Sequence, residues 1–188
     1  LRSRMSLLIS FTALFVSVFL LQLGFGGVVP LDALSGTELG FTPEQIGAMG
    51  SAHFLGFFIG CWWGPRLMGT VGHARAFAAF AAAGTIGIMS HMMLVDPWAW
   101  SIMRMSSGLA VAGCYTIIEA WLQSKVTNET RGRAMGVYRV VDVSGNLGAQ
   151  VIIAFLTPAA YVSYNLLALF ACAALFPLLL TKAEAPPT

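Results

Sequence analysis

Gly56-Phe-Phe-Ile-Gly60-Cys-Trp-Trp-Gly64-Pro65-Arg66-Leu-Met-Gly-Thr-Val-Gly72-His-Ala-Arg75 is an apolar run with a glycine at every fourth position that ends in a basic turn. Residues four apart share a helical face, so Gly56, Gly60 and Gly64 form a bare stripe that lets another helix reach backbone contact. In lipid such stripes drive helix packing, because lipid tails are as apolar as leucine and burial alone supplies no attraction. The cations of the turn 65–75 mark the side of the membrane that this end faces. This one stretch predicts a membrane-spanning helix, its packing face and its orientation.

The composition extends that reading to the whole chain. Of 188 residues, 57% are hydrophobic and 10% are charged, with mean hydropathy +0.79, against about 25% charged in a soluble domain. A net charge of +2 without a long basic cluster is too small to imply a nucleic-acid partner, and none is expected. Cys61, Cys114 and Cys172 lie far apart inside apolar runs. They have neither disulfide-framework nor metal-ligand spacing and read as small buried hydrophobes. The first apolar run is longer than a signal-peptide core and leads into Gly-Phe-Gly-Gly and Pro30 rather than a cleavage site.

A window of about 19 residues resolves six hydrophobic segments, at roughly 6–31, 43–68, 75–95, 97–123, 133–156 and 160–181, each near the ~20 residues that cross a bilayer. The second begins on a capping box, Thr42-Pro43-Glu44-Gln45, with proline at the first helical position. The fourth begins at Asp96-Pro97. Gly24, Gly26, Gly27 and Pro30 interrupt the first span, so its outer third is expected to be kinked or unwound.

Charge placement gives the topology. With the N-terminus inside, the inner ends hold Arg2, Arg4, Arg66, Arg75, Lys125, Arg131, Arg133 and Lys182. The outer loops then hold Asp32, Glu38, Glu44 and Asp96 and no Lys or Arg. By the positive-inside rule both termini are cytoplasmic. The polar, proline-bearing segment 182–188 reads as the opening of a linker.

Polar side chains inside the spans cost about 2.5–3.5 kcal/mol when charged, and so face a bundle interior or a cavity. They are Gln22, His53, His91, Arg104, Glu119, Arg139, Asp142, Asn146 and Gln150. Arg104 is the only cation in the outer half of its span and calls for a carboxylate or an anionic substrate group. Arg139 and Asp142, three residues apart, share a helical face and can neutralise each other. Alternatively, a substrate or proton competes for Asp142. Asn146 and Gln150 continue from Asp142 at four and eight residues, giving a polar stripe suited to a cavity wall. Glu119 has a depth similar to Arg139, so its expected partners are Arg139 or the loop cations Arg131 and Arg133. It reads as a structural latch at the inner gate. His53 near mid-depth is a packing histidine or a proton-coupling group. His53 and His91 differ too much in depth to share a haem. There is no zinc spacing, no phosphate loop and no nucleophile with a facing base, so no metal, cofactor or enzymatic activity is expected.

Three motifs carry a resemblance. Gly64-Pro-Arg-Leu-Met-Gly-Thr-Val-Gly72-His-Ala-Arg75, Arg104-x-x-x-Gly108, and Ile118 through Asn128-Glu-Thr-Arg131-Gly-Arg133 to Gly136 resemble, in this order, the N-terminal half of a major facilitator superfamily transporter. They are similar in particular to a branch of bacterial major facilitators, mostly of unassigned substrate. The resemblance implies an all-α membrane protein, a six-helix half made of an inverted three-plus-three repeat, in the bacterial inner membrane. It implies alternating-access transport of a small solute, with the central site shared with a second six-helix half. That half belongs to the same polypeptide or to a second copy of the chain. The stripe of Gly56, Gly60 and Gly64 is then expected to face the other half, while Gly108 and Gly113 pack the fourth helix. Gly69 and Thr70 stand where the family's loop has an acidic and a basic residue, which moves the expected acidic latch to Glu119. Two functions follow: secondary transport, coupled to protons through Asp142, or a membrane docking or sensor module that moves no solute.

Overall fold

The computed structural model describes residues 2–181, with the side chains from position 4 onward; the linker expected at 182–188 lies outside the described residues. The described chain is helical throughout: α1 (Arg2–Glu38), α2 (Pro43–Val71), α3 (His73–Ser90), α4 (Pro97–Lys125), α5 (Arg131–Phe155), α6 (Tyr161–Ala173) and α7 (Leu175–Leu180). Among the described residues, four segments are long and apolar enough to cross a membrane: Arg4–Glu38, Pro43–Val71, Pro97–Lys125 and Tyr161–Leu180, the last running through α6 and α7. α3 and α5 fall outside that group. α3 is short and begins with His73 and Arg75, and α5 carries Arg131, Arg133, Arg139 and Asp142.

α1 corrects the expectation of an interrupted first helix. It runs unbroken past Gly24, Gly26, Gly27 and Pro30 to Glu38. The glycines serve close packing instead: a Cβ on Gly24 would lie 2.8 Å from the Leu167 carbonyl oxygen, and one on Gly27 would lie 2.9 Å from Leu167 Cδ2. α6 therefore seats directly on the α1 backbone and holds it helical across the proline. One consequence is that Asp32 and Glu38 lie inside α1, not in a loop.

Local signals explain the other boundaries. Thr42 caps α2, accepting from the Gln45 N–H at 3.2 Å while Gln45 Oε1 accepts from the Thr42 N–H at 2.9 Å. Asp96 caps α4 through bonds from the Trp98 and Ala99 N–H groups. The basic turn proves to be a single residue. Pro65 sits inside α2, and only Gly72, at φ 91°, separates α2 from α3. That left-handed conformation suits glycine because it has no Cβ to clash. Arg66 folds back on its own helix, donating to the Trp62 carbonyl at 2.6 Å with its guanidinium over the Trp62 ring.

α2 packs along α4 and α5 along α1, with α3 against α4 and α6. The glycine stripe meets α4, which corrects the expectation that it faces a helix outside the chain. A Cβ on Gly56 would strike the Met105 carbonyl oxygen, and one on Gly108 would strike the His53 carbonyl oxygen. Gly60 meets Leu109 and Ala112, and Gly113 takes the Phe80 ring. The reason is complementarity: α4 carries its own small residues, so the two hollows interlock and bring backbone onto backbone. α2 instead presents Phe54, Leu55, Phe58, Ile59, Trp62 and Trp63 outward. At the break between α6 and α7, three residues before Pro177, Ser17 donates to the Ala174 carbonyl at 2.7 Å and ties α1 to the bend.

Candidate functional site

α5 and α1 meet where a glycine removes the barrier between them. A Cβ on Gly145 would lie 2.7 Å from Gln22 Cβ and 3.0 Å from the Phe19 carbonyl oxygen. Asp142 and Asn146 flank Gly145 on neighbouring turns, and the close approach lays both over Gln22. Gly26, one turn further along α1, keeps room for the Gln22 amide, since a Cβ there would lie 2.6 Å from Gln22 Oε1.

The result is a small polar network. Gln22 Nε2 donates to Asp142 Oδ1 at 2.8 Å, and Asn146 Nδ2 donates to Gln22 Oε1 at 3.4 Å. From α4 the Tyr115 hydroxyl donates to the same Asp142 Oδ1, also at 2.8 Å. Asp142 Oδ2 is left with Arg139 Nη1 at 3.8 Å, beyond hydrogen-bond range. The Arg139 side chain is 75% exposed and that of Asp142 16%. One carboxylate oxygen is thus pinned by two helices, and the other stays open to a proton or a ligand group.

Toward the basic ends of α4 and α5 a second tyrosine makes the mirror contact. Tyr138 on α5 donates to Glu119 Oε1 on α4 at 3.0 Å, and the Tyr115 and Tyr138 rings stand edge to face at 6.5 Å. Each helix gives a tyrosine hydroxyl to the other's carboxylate. Glu119 is therefore joined to α5 by Tyr138, where the sequence suggested Arg139, Arg131 or Arg133. Arg131 instead donates to Gln123 near the end of α4 and to Asn128 in the connection between the helices.

The remaining sequence-nominated residues lie apart from this network. Gln150 is exposed further along α5. His53 is half-buried on α2, its ring edge-on to Phe54 and its Nδ1 without a protein partner. Gly64, Pro65, Arg66, Gly72 and Arg75 stay at the α2–α3 junction, and Arg133 is exposed in the first turn of α5. At that junction His73 packs near the Trp121 ring, and desolvation pushes its imidazole below the ordinary range.

Arg104 belongs to a different cluster, at the opposite end of the bundle from the basic turn. Its Nη1 donates to Asp32 Oδ2 at 3.2 Å, and Tyr164 of α6 donates to Asp32 Oδ1 at 2.6 Å. His91 Nε2 lies 3.0 Å from Asp32 Oδ2. Asp32, His91 and Tyr164 are fully buried and Arg104 nearly so. The carboxylate that Arg104 calls for is therefore a residue of this chain. Sequence reasoning missed Asp32, Tyr115, Tyr138 and Tyr164. A signal existed for the first: Leu14, Val18, Leu21, Phe25, Val28, Asp32 and Ser35 follow one another at four- and three-residue steps, and all are buried.

No family model matches the chain. Over 112 residues it is 26% identical to the proteins named uncharacterized MFS-type transporter YcaD from Salmonella typhi and from Salmonella newport (strain SL254). The match covers 58% of this chain and 28% of each relative. Over that stretch the chain is similar to MFS-type, that is major facilitator superfamily, transporters. It spans well under half the length of the curated relatives it matches. This likeness and the four described segments apolar enough to cross a bilayer together support a multi-pass membrane protein.

Proposed function

We propose that this chain forms one six-span wall of a secondary transporter that carries a small solute by alternating access, with Asp142 taking up the coupling proton. The observation that carries this reading is the open Asp142 Oδ2, held partway along α5 by donors on its partner oxygen. A transporter needs an ionisable group that is positioned yet still accessible, and intramembrane carboxylates meet that need.

Six spans are supported by packing. α5 has 25 residues, about 37 Å at 1.5 Å per residue, enough to cross beside α1. Its Asp142 turns toward α1 and α4, so protein stands where lipid would penalise the charge, and the exposed Asn146 bonds Gln22 of α1. α3 buries Ala76, Phe77, Phe80, Ala81 and Ile88 and needs little apolar perimeter of its own. The helix pairings support an inverted repeat: exchanging α1 with α4, α2 with α5 and α3 with α6 turns the α2–α4 contact into the α5–α1 contact. The cations at the α2–α3 and α4–α5 connections favour cytoplasmic termini in the bacterial inner membrane. The outward aromatic face of α2 suits the second six-helix half, from the same polypeptide or from a second copy.

The test is uptake of a metabolite panel into proteoliposomes under an imposed proton gradient. A solute accumulated by the wild type and not by Asp142→Asn supports both parts of the reading. Accumulation by Asp142→Asn at the wild-type rate removes Asp142 from coupling and leaves transport standing. Failure to move any solute, together with a co-purifying partner protein, favours a docking module.

A further inference from the structure

The N-terminal part of α1 carries an open apolar face. Leu8, Thr12, Val16 and Leu20 follow at four-residue steps and share one side of the helix. Residues two apart stand about 200° apart on a helix, so this side points away from Leu14 and Val18 in the core. On one flank Phe15, Phe19, Val140, Val141 and Ser144 wall a crevice of about 410 Å³ between α1 and α5. On the other flank Ile9, Pro177 and Thr181 wall a crevice of about 300 Å³ between α1 and the end of α7. Thr12 and Val16 line both, so the two form one trough with α1 as its floor. Phe15 joins it to a third hollow of about 280 Å³, which ends at Thr130 and Arg133.

Length and lining select the occupant. From position 8 to position 20 the floor runs about 18 Å at ~1.5 Å per residue. One leaflet of a hydrocarbon core ~30 Å thick measures about 15 Å. The hydroxyls turn back on their own helices: Thr12 donates to the Leu8 carbonyl at 2.8 Å and Thr181 to the Pro177 carbonyl at 2.6 Å. The trough therefore offers mainly methyl and ring carbon, which suits an acyl chain better than a polar solute. Its mouth is cationic. Arg133 lines it, and Arg4 lies one turn before Leu8 on α1. Both are exposed, and among the described residues neither has an ion-pair partner. An apolar channel ending in guanidinium groups complements a phosphate that carries an acyl chain. We propose that this trough binds one anionic phospholipid from the leaflet on the basic side of the protein, with its phosphate at Arg133 and Arg4. The site is separate from Asp142 and does not depend on transport.

The test is native mass spectrometry of the full chain, released from micelles holding equal amounts of phosphatidylglycerol and phosphatidylcholine with the same acyl chains. The wild type should retain one phosphatidylglycerol in preference to phosphatidylcholine. Arg133→Gln removes a charge at the mouth and should lower that retention about fivefold. Val16→Trp fills the floor and should also lower it. Both positions are exposed, so both variants should fold, as their melting temperatures will check. Arg75→Gln removes an exposed cation from the α2–α3 junction and should retain as much lipid as the wild type. Equal retention of the two lipids by the wild type overturns the proposal. An equal loss in Arg75→Gln also overturns it, because it reports general charge attraction, and so does full retention in Val16→Trp. A wild-type dimer that Val16→Trp breaks into monomers gives the trough to a second copy of the chain and overturns the lipid site as well.

Discussion

Asp32 and Asp142 are both aspartates on helices of one bundle, yet their surroundings are opposite. Asp32 is enclosed at one end of the helices, with both oxygens engaged by side chains from three other helices. Asp142 lies partly open, with donors from two helices on one oxygen and only a distant Arg139 near the other. A saturated, dry carboxylate fixes geometry; a half-saturated one can exchange partners. The difference separates the part of the molecule that holds shape from the part that, on the proposed function, meets a solute.

The strongest break of this comparison is Asp32→Ala. It leaves the Arg104 guanidinium buried without its carboxylate, a loss of about 3–5 kcal/mol, and the variant should fail to give monodisperse protein. A melting curve like that of the wild type would show that Asp32 is not a structural anchor. Next comes Asp142→Asn. Its amide oxygen can still accept from Gln22 and Tyr115, so the expected stability change is under about 1 kcal/mol, while the proton-driven uptake proposed above should drop to the level of empty liposomes. Equal damage to folding in both aspartate variants would erase the distinction. Tyr115→Phe removes one donor from Asp142 and one tie between α4 and α5, at about 1 kcal/mol. A double-mutant cycle with Asp142→Asn measures that tie and should show coupling. Arg139→Gln is the mildest. With its side chain mostly in solvent, the ion pair is expected to contribute below about 0.5 kcal/mol, read as an unchanged melting temperature.

Much of the scaffold was legible because its signals are local. The Thr42–Gln45 capping box, the prolines at 43 and 97 and the cap at Asp96 each act within one turn of helix. The spacing of Asp142 and Asn146 likewise announced a polar helix face. Gln22 and Tyr115 are another matter. They lie 120 and 27 residues from Asp142, and only the meeting of helices at Gly145 brings Gln22 into reach. The Asp32 cluster was hidden by a local signal that tertiary structure overrides. Gly24 to Pro30 reads as a helix break, but α6 uses those glycines as a seat and the helix persists. The buried period running from Leu14 to Ser35 carries the contrary message over a longer range.

The glycine contact between α2 and α4 has a mechanical consequence. At Gly56 and Gly108 main chain rests on main chain, so no side chain lies between the helices to bend and absorb a displacement. A push on the outward face of α2 therefore reaches α4 undamped. It arrives beside Met105, one residue from Arg104, whose guanidinium grips Asp32 of α1. The two helices behave as a stiff crank, with the exposed aromatic face as its handle and the buried ion pair at its axle.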